Sequence, residues 1–305
     1  MKSRHPRSVR GALAMLTTLA VVAACGPAPS GPPASTSAPT TAPASPTAGT
    51  PGPTVSPTAV PSLQPSSSPT GATVRAYFML GSFTGDGGLV PVLRTVPATE
   101  DLGTAAMAAL LAGPNETELG ARPAMYTAVP DGTRFTSVTI KGNSATVVTG
   151  ALFPDNSSAS SRQGVAQIVY TLTQFPGIEY VFFRQADFLG PVGHPATRGD
   201  FRDLLPPIWV DDPAWGGSLP SGGRVTGLAN VFEAQFRLMV LDAAGRTVTD
   251  MPVMATCGTG CWGTFDAHVS YRVSLAQLGT LRVFDASAKD GKPEHVVEYP
   301  VWLTP

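Results

Sequence analysis

Residues 26–72 hold 13 prolines and not one Asp, Glu, Lys or Arg, and that blank stretch decides where the chain can fold. Val55, Val60 and Leu63 are its only sizeable apolar side chains. So little apolar surface cannot offset the entropy of ordering the backbone. The prolines favour extended polyproline II, which at ~3.1 Å per residue gives the stretch a reach of about 145 Å, against roughly 35–40 Å for a flexible coil. It reads as a tether. Packed structure has to come from residues 73–305.

What precedes the tether is an address. Lys2, Arg4, Arg7 and Arg10 form a basic start, followed by the apolar run Ala12 to Ala24. That run is too short to cross a ~30 Å hydrocarbon core as a helix. A basic flank, a short apolar segment and small residues at its exit describe a secretory signal peptide over 1–24. Val22-Ala23-Ala24-Cys25-Gly26 resembles the bacterial lipobox, in which cleavage falls just before the cysteine. The resemblance implies a diacylglyceryl thioether on Cys25, with palmitate-type acyl chains anchoring the protein at the extracytoplasmic face of the cell membrane. Two acyl chains suffice for stable anchoring, whereas one alone is marginal. Without residues 1–24 the chain keeps 16 basic residues against 21 acidic ones, a net charge of -5. No basic face for nucleic acid is implied, nor any general attraction to anionic wall polymers.

From Thr73 the pattern changes. Val74, Ala76, Phe78 and Leu80 alternate with Arg75, Tyr77 and Met79, the period of a strand. Gly81 to Gly88 makes a turn into a second strand, Leu89 to Thr95; no Lys-Ser/Thr follows it, so it is not a phosphate cradle. Thr99-Glu100-Asp101 opens a helix with an N-cap candidate and an acidic first turn, and Gly113-Pro114 stops it. Strands follow at 134–140 and 144–149 around Gly142-Asn143, then a helix over 162–174 and a strand from Glu179 to Arg184. The order ββαββαβ predicts an α+β domain over 73–190, with its helices on one face of a sheet.

Leu89-Val90-Pro91-Val92-Leu93-Arg94, Leu110-Leu111-Ala112-Gly113-Pro114 and Val129-Pro130-Asp131-Gly132-Thr133 resemble, in order and spacing, the GerMN (sporulation and spore germination) domain. The resemblance implies a cell-envelope setting, in sporulation, germination or lipoproteins of other bacteria, and no enzymatic activity. After Leu204-Leu205-Pro206-Pro207 the chain turns all-β. Strands are predicted near 208–211, 223–229, 232–241, 247–254, 263–273, 280–287 and 296–303. Seven short strands over 207–305 read as an antiparallel sandwich. Val225-Thr226-Gly227-Leu228-Ala229, Phe232-Glu233-Ala234 and Tyr299-Pro300-Val301-Trp302-Leu303 make it similar to the immunoglobulin-like domain that follows GerMN in bacterial germination proteins.

Chemistry-bearing residues are sparse. Cys257 and Cys261, an even pair in an exported chain, predict a disulfide. The spacing is not the Cys-x-x-Cys of redox pairs, and a metal would need two more ligands where only His268 and His295 are near in sequence. His194 precedes a proline, and no Gly-x-Ser-x-Gly or Ser-x-x-Lys is present. Asp200, Asp203, Asp211 and Asp212 cluster near the domain boundary; they read as a solvated acidic loop, with an acid/base pair of an envelope hydrolase, or a Ca²⁺ cage, as the sharp alternative. Arg198-Gly199-Asp200 spells an adhesive tripeptide, and Asn115-Glu116-Thr117 and Asn156-Ser157-Ser158 match glycosylation acceptors; all three read as coincidence. Trp209, Trp215 and Trp262 serve either as core or as a glycan-stacking surface. The expectation is a lipid-anchored envelope protein with no catalytic residues, metal or cofactor. Its two modules would meet an envelope protein, through a free sheet edge, or a wall polymer.

Overall fold

The computed structural model describes residues 71–81, 88–98, 101–150, 159–185 and 194–305. Cys25, the tether up to residue 70, the centre of the Gly81–Gly88 turn, Thr99-Glu100 and Asn156-Ser157-Ser158 lie outside them, while Gly71 and Ala72, expected at the end of the tether, begin the first strand. The N-terminal half contains β1 (Gly71–Leu80), β2 (Gly88–Pro97), α1 (Leu102–Leu111), α2 (Glu116–Leu119), β3 (Met125–Tyr126), β4 (Phe135–Lys141), β5 (Ser144–Thr149), α3 (Ala159–Leu172) and β6 (Tyr180–Gln185). The predicted ββαββαβ order is present, with a one-turn helix and a two-residue strand inserted before β4. The strands divide into two three-stranded sheets, β2-β1-β3 and β4-β5-β6, rather than one. Helix α1 packs on β1, β2 and β4, and α3 packs on β1 and β6, so the helices touch both sheets. Asp101 stands before α1 and accepts from Thr104 N (2.9 Å), which leaves the first turn itself without the acidic residue expected there.

Strand β1 shows why the arrangement is specific. It pairs with β2 along its length, but with β3 only at Met79 and Leu80. The rest of that edge is met by side chains of and just beyond α3. Gln174 accepts from Arg75 N (2.6 Å) and donates to Arg75 O (2.7 Å), while Gln167 donates to Tyr77 O (2.8 Å) and Thr171 accepts from Tyr77 N (3.3 Å). Positions i, i+4 and i+7 share a helix face, so one stripe of α3 stands in for a missing strand. Gln167 and Thr171 are fully buried, which is affordable only because their polar atoms are matched.

The C-terminal half contains β7 (Ile208–Asp212), β8 (Ser218–Pro220), β9 (Gly223–Ala229), β10 (Gln235–Leu241), β11 (Thr247–Met254), β12 (Gly263–Val269), β13 (Gln277–Ala286) and β14 (Pro293–Thr304). They form a five-stranded sheet β11-β10-β13-β14-β8 and a three-stranded sheet β12-β9-β7, an immunoglobulin-like sandwich. Alternating burial along β12 and β10 places Phe265 and Phe236 between the sheets, edge-on at 4.9 Å. Strand β8, too short to show any periodicity, lies parallel to β14.

One cluster of buried apolar residues runs without a break from Ala76 to Leu303. The halves therefore share a core. Trp215 makes a bridge to Val92 of β2, donates from its backbone N to Pro91 O (2.9 Å), and stacks at 5.8 Å on Tyr299 of β14.

Candidate functional site

The junction of the two halves gathers the polar chemistry. A 3₁₀ segment, Arg198–Leu204, leads into β7 and places Arg198 against α3 and β1. Its guanidinium lies over Tyr170 (4.7 Å) and Tyr77 (5.4 Å). Nε donates to Thr173 Oγ1 (2.8 Å), and Nη2 to Tyr77 OH (3.2 Å) and Tyr170 O (3.3 Å). Asp211 of β7 accepts from Tyr77 OH (3.1 Å) and stands 3.8 Å from Arg198. Burial pushes the Tyr77 phenol well above its ordinary range against the opposing pull of Arg198, and raises Tyr170 to about 12. Both rings are neutral packing and hydrogen-bonding groups at neutral pH.

The acidic residues of the boundary are not assembled as a pair. Asp212 is bound to Arg75 (2.6 Å) and Asp203 to Arg162 (2.6 Å). Asp200 accepts from Thr197 N (2.8 Å) and Thr197 Oγ1 (2.9 Å), and Asp211 takes the Tyr77 proton donor. The hydrogen bond from Arg162 holds the Asp203 carboxyl below its usual range, the opposite of what a general acid needs. Among the described residues no group of three His, Cys, Asp or Glu is placed to hold a metal ion. The predicted solvated loop is thus a set of carboxylates each tied to its own partner. The Arg198-Gly199-Asp200 tripeptide is spent the same way, on the ring stack and the Thr197 cap.

Cys257 and Cys261 are joined in a disulfide, with Cα atoms 5.8 Å apart. Their loop sits on the 230–234 turn: Thr259 N donates to Val231 O (2.9 Å) and Gly260 N to Asn230 Oδ1 (2.9 Å). Gly258 has to be glycine, since a Cβ would stand 2.4 Å from Ala234 N. Trp209 is buried in the junction, edge-on to Tyr170 at 5.7 Å, and Trp215 and Trp262 are partly buried against the core. The half-exposed tryptophan is Trp302, which belongs to the motif of the immunoglobulin-like resemblance and not to the three read as stacking candidates. His295 pairs through Nδ1 with Asp285 (2.8 Å), and His194 is exposed.

The residues that carry the family resemblance turn out to be neighbours. Arg94 forms a two-point ion pair with buried Glu118 (2.7 and 2.6 Å) and reaches Gly113 O (3.4 Å). Asn115 begins α2 with a capping box, accepting from Glu118 N (3.0 Å) while Glu118 accepts from Asn115 N (2.9 Å). Leu110, Leu111 and the 129–133 turn line one small cavity of about 90 Å³. These segments hold the fold, and the Asn115 sequon is a helix cap.

The open part of the junction is the outer face of the sheet β12-β9-β7. Register places Trp209, Leu228 and Thr264 in one row across it and Thr226 beside Asp266 in the next. A groove of about 640 Å³ runs over this face, its lining completed by Arg198, Asp211, Met254 and Thr256. Asp266 is held by Arg224 (2.7 Å), and Thr256 Oγ1 accepts from Thr264 N (2.9 Å). The Trp209 indole N–H, buried, has no hydrogen-bond partner among the described residues. No single segment signals this groove, because its residues come from three strands, the junction turn and the end of β11.

Two family models match the chain, one described as sporulation and spore germination over residues 75–186, the other as the immunoglobulin-like domain of bacterial spore germination over residues 207–292. The chain carries both domains. Among solved structures, the chain is similar to the tandem GerMN domains of the sporulation protein GerM from Bacillus subtilis. The identity is 19%, with 42% of this chain and 45% of that one covered and a TM-score of 0.34. The chain thus spans under half of that tandem structure. The first GerMN domain of the same protein is 20% identical over 42% of this chain and 99% of that one, with a TM-score of 0.31. A candidate lipoprotein from Clostridium perfringens is 20% identical over 44% of this chain and 92% of that one, with a TM-score of 0.28. No curated protein matches. The junction groove lies on the immunoglobulin-like domain, at its contact with the segment that leads out of the spore-germination domain.

Proposed function

We propose that this chain is a non-catalytic protein of the cell envelope that uses its spore-germination and immunoglobulin-like domains as binding modules in sporulation, germination or envelope assembly. Acyl chains on Cys25 hold it at the extracytoplasmic face of the membrane, and the tether carries the domains clear of the lipid headgroups. The observation that carries the reading is the fate of the acidic residues at the junction. Each is committed to its own arginine, hydroxyl or backbone partner, and the Arg198 guanidinium beside them is engaged with Thr173 and two neutral tyrosine rings. Such a surface recognises; it has no base poised to move a proton. The anchor is supported by the lipobox at 22–26, and among the described residues no helix is long and apolar enough to cross a membrane. A protein partner is best served by β4, an edge strand with Thr136, Ser137, Thr139 and Ile140 exposed.

The test is metabolic labelling with an alkyne fatty acid in a bacterial host. The full chain is expected to take up label and to sediment with membranes, and Cys25→Ser to lose both. An unlabelled, freely soluble parent refutes the anchor, and a hydrolytic activity that follows the purified chain refutes the non-catalytic reading.

A further inference from the structure

Sheet edges in the spore-germination domain are covered with one exception. The free side of β2 is bridged by Trp215, whose N donates to Pro91 O (2.9 Å), and that of β6 by Ala196, which exchanges both main-chain bonds with Val181 (2.9 Å each). Strand β3 is two residues long. Among the described residues nothing pairs with the outer side of β4, although its seven residues make it a template for another strand. Its bonds to β5 follow the two-residue turn at Gly142-Asn143. Lys141 opposite Ser144 and Thr139 opposite Thr146 are the hydrogen-bonded pairs, and Val138 and Ile140 alternate with them. The N–H and C=O groups of Val138 and Ile140 therefore point outward, at the spacing of about 6.8 Å that another extended main chain repeats. The second feature is α1. None of its ten residues is charged, and a helix so apolar belongs against protein on most sides. Yet Thr104, Ala108 and Leu111, which share a face, are exposed. Two hollows lie between helix and strand, about 290 Å³ beside Ala108 and Leu111 and about 460 Å³ beside Leu102 and Ile140, with Val138 in both. Asp101, the charged residue of their lining, is held by Thr104 N and Oγ1 (2.9 and 2.6 Å).

We infer that β4 takes up a single extended, uncharged peptide segment of another protein, seated between the strand and α1. Its main chain pairs with Val138 and Ile140, and apolar side chains two residues apart, on the face toward α1, enter the two hollows. A second copy of this chain does not fit. Helix α1 meets this sheet at β4, so closely that a Cβ on Gly103 would stand 3.0 Å from Ile140 Cδ1. Paired strands lie ~4.8 Å apart, whereas packed helices need about 8–10 Å between their axes. Two copies joined through β4 about a two-fold axis would bring their α1 helices onto one face and closer than that. A strand that carries no helix on that face has room. The inference rests on the reading of the chain as an envelope binding protein and specifies the partner of its β4 edge.

The experiment is a titration of the ¹⁵N-labelled full chain, in detergent micelles, with an end-blocked peptide of about seven residues that alternates valine and threonine and matches β4 in length. Binding is expected to saturate with a Kd below about 1 mM. Amide exchange at Val138 and Ile140 should slow about tenfold or more while Thr139, already bonded within the hairpin, stays unchanged. Methylating the alternate peptide nitrogens that face β4 should weaken binding about tenfold or more, and methylating the other set should not. Ala108→Arg, at an exposed position that does not threaten folding, should fill the groove and weaken binding about tenfold or more. Three results overturn the proposal: no saturation up to about 10 mM, equal binding of the two methylated peptides, or a dimer of the full chain in sedimentation that Ala108→Arg dissolves. Any of these leaves the anchor standing, because fatty-acid labelling at Cys25 reads it separately. An unlabelled parent would instead sink the anchor and leave the β4 assignment intact.

Discussion

Replacing Arg198 by methionine keeps a stem of similar length and removes the guanidinium that seats the segment leading into β7 on α3 and β1. The strongest loss is the 2.8 Å bond from Nε to Thr173 Oγ1, a charge-assisted contact of about 1.5–3 kcal/mol. Stacking on Tyr170 at 4.7 Å adds about 1 kcal/mol at a partly desolvated site. The 3.8 Å approach to Asp211, with both side chains more than a quarter exposed, is worth about 0–1 kcal/mol. Tyr77 OH and Asp211 still have each other at 3.1 Å, so no orphaned buried group enlarges the cost. The expected destabilisation is about 3 kcal/mol, allowing for overlap between neighbouring contacts. Denaturant unfolding, followed by tryptophan fluorescence and by far-ultraviolet circular dichroism, measures it. The parent should unfold in one transition because the core is continuous. A double-mutant cycle gives the sharper check: coupling of Arg198→Met to Thr173→Ala should exceed its coupling to Asp211→Asn. A loss under about 0.5 kcal/mol, within the range of an ordinary surface change, or a reversed order of couplings, would refute this account of the junction.

Two further outcomes follow from burial and from loop closure. Burial raises Tyr77, Tyr170 and Tyr299 above their ordinary values, so their neutral forms stabilise the fold up to the unfolded tyrosine pKa of about 10, and that contribution is lost as pH rises through the folded values. The urea midpoint should therefore stay level with respect to these groups up to about pH 10 and fall beyond it, with phenolate absorbance showing part of the six tyrosines titrating only on unfolding; simultaneous titration of all six while the fold is intact would contradict it. Reducing the Cys257–Cys261 bond, or changing both residues to serine, should cost about 2 kcal/mol, the loop-closure entropy of a five-residue ring. Equal melting temperatures with and without reductant would contradict that.

What the sequence made legible was whatever repeats locally. Turn residues before them, Ser221-Gly222 and Asp242 to Gly245, mark where β9 (223–229) and β11 (247–254) begin. The α2 turn, β3 and β8 are too short to express a period, and all three exist through partners distant in sequence: Arg94 for α2, β1 for β3, and β14 for β8. Strand β1 alternates apolar with mixed residues, yet Tyr77 and Met79 are as buried as Phe78. The alternation predicts one covered face, whereas the other is closed by the junction. The spacing of Cys257 and Cys261 announces a local staple. Nothing local announces that Arg198 packs on Tyr77, 121 residues away, or that Thr226 and Trp209 line one groove.

The contact of Trp215 with both Val92 and Tyr299 has a bearing on how the polypeptide acquires its shape. Tyr299 belongs to β14, so the surface that receives β2 is completed only once residues 297–303 have been synthesised and added between β13 and β8. A nascent chain stalled before that point would display Trp215 and the neighbouring strand to whatever surrounds it. Removal of a few C-terminal residues should therefore disturb the remote amino-terminal half more than their number alone would indicate.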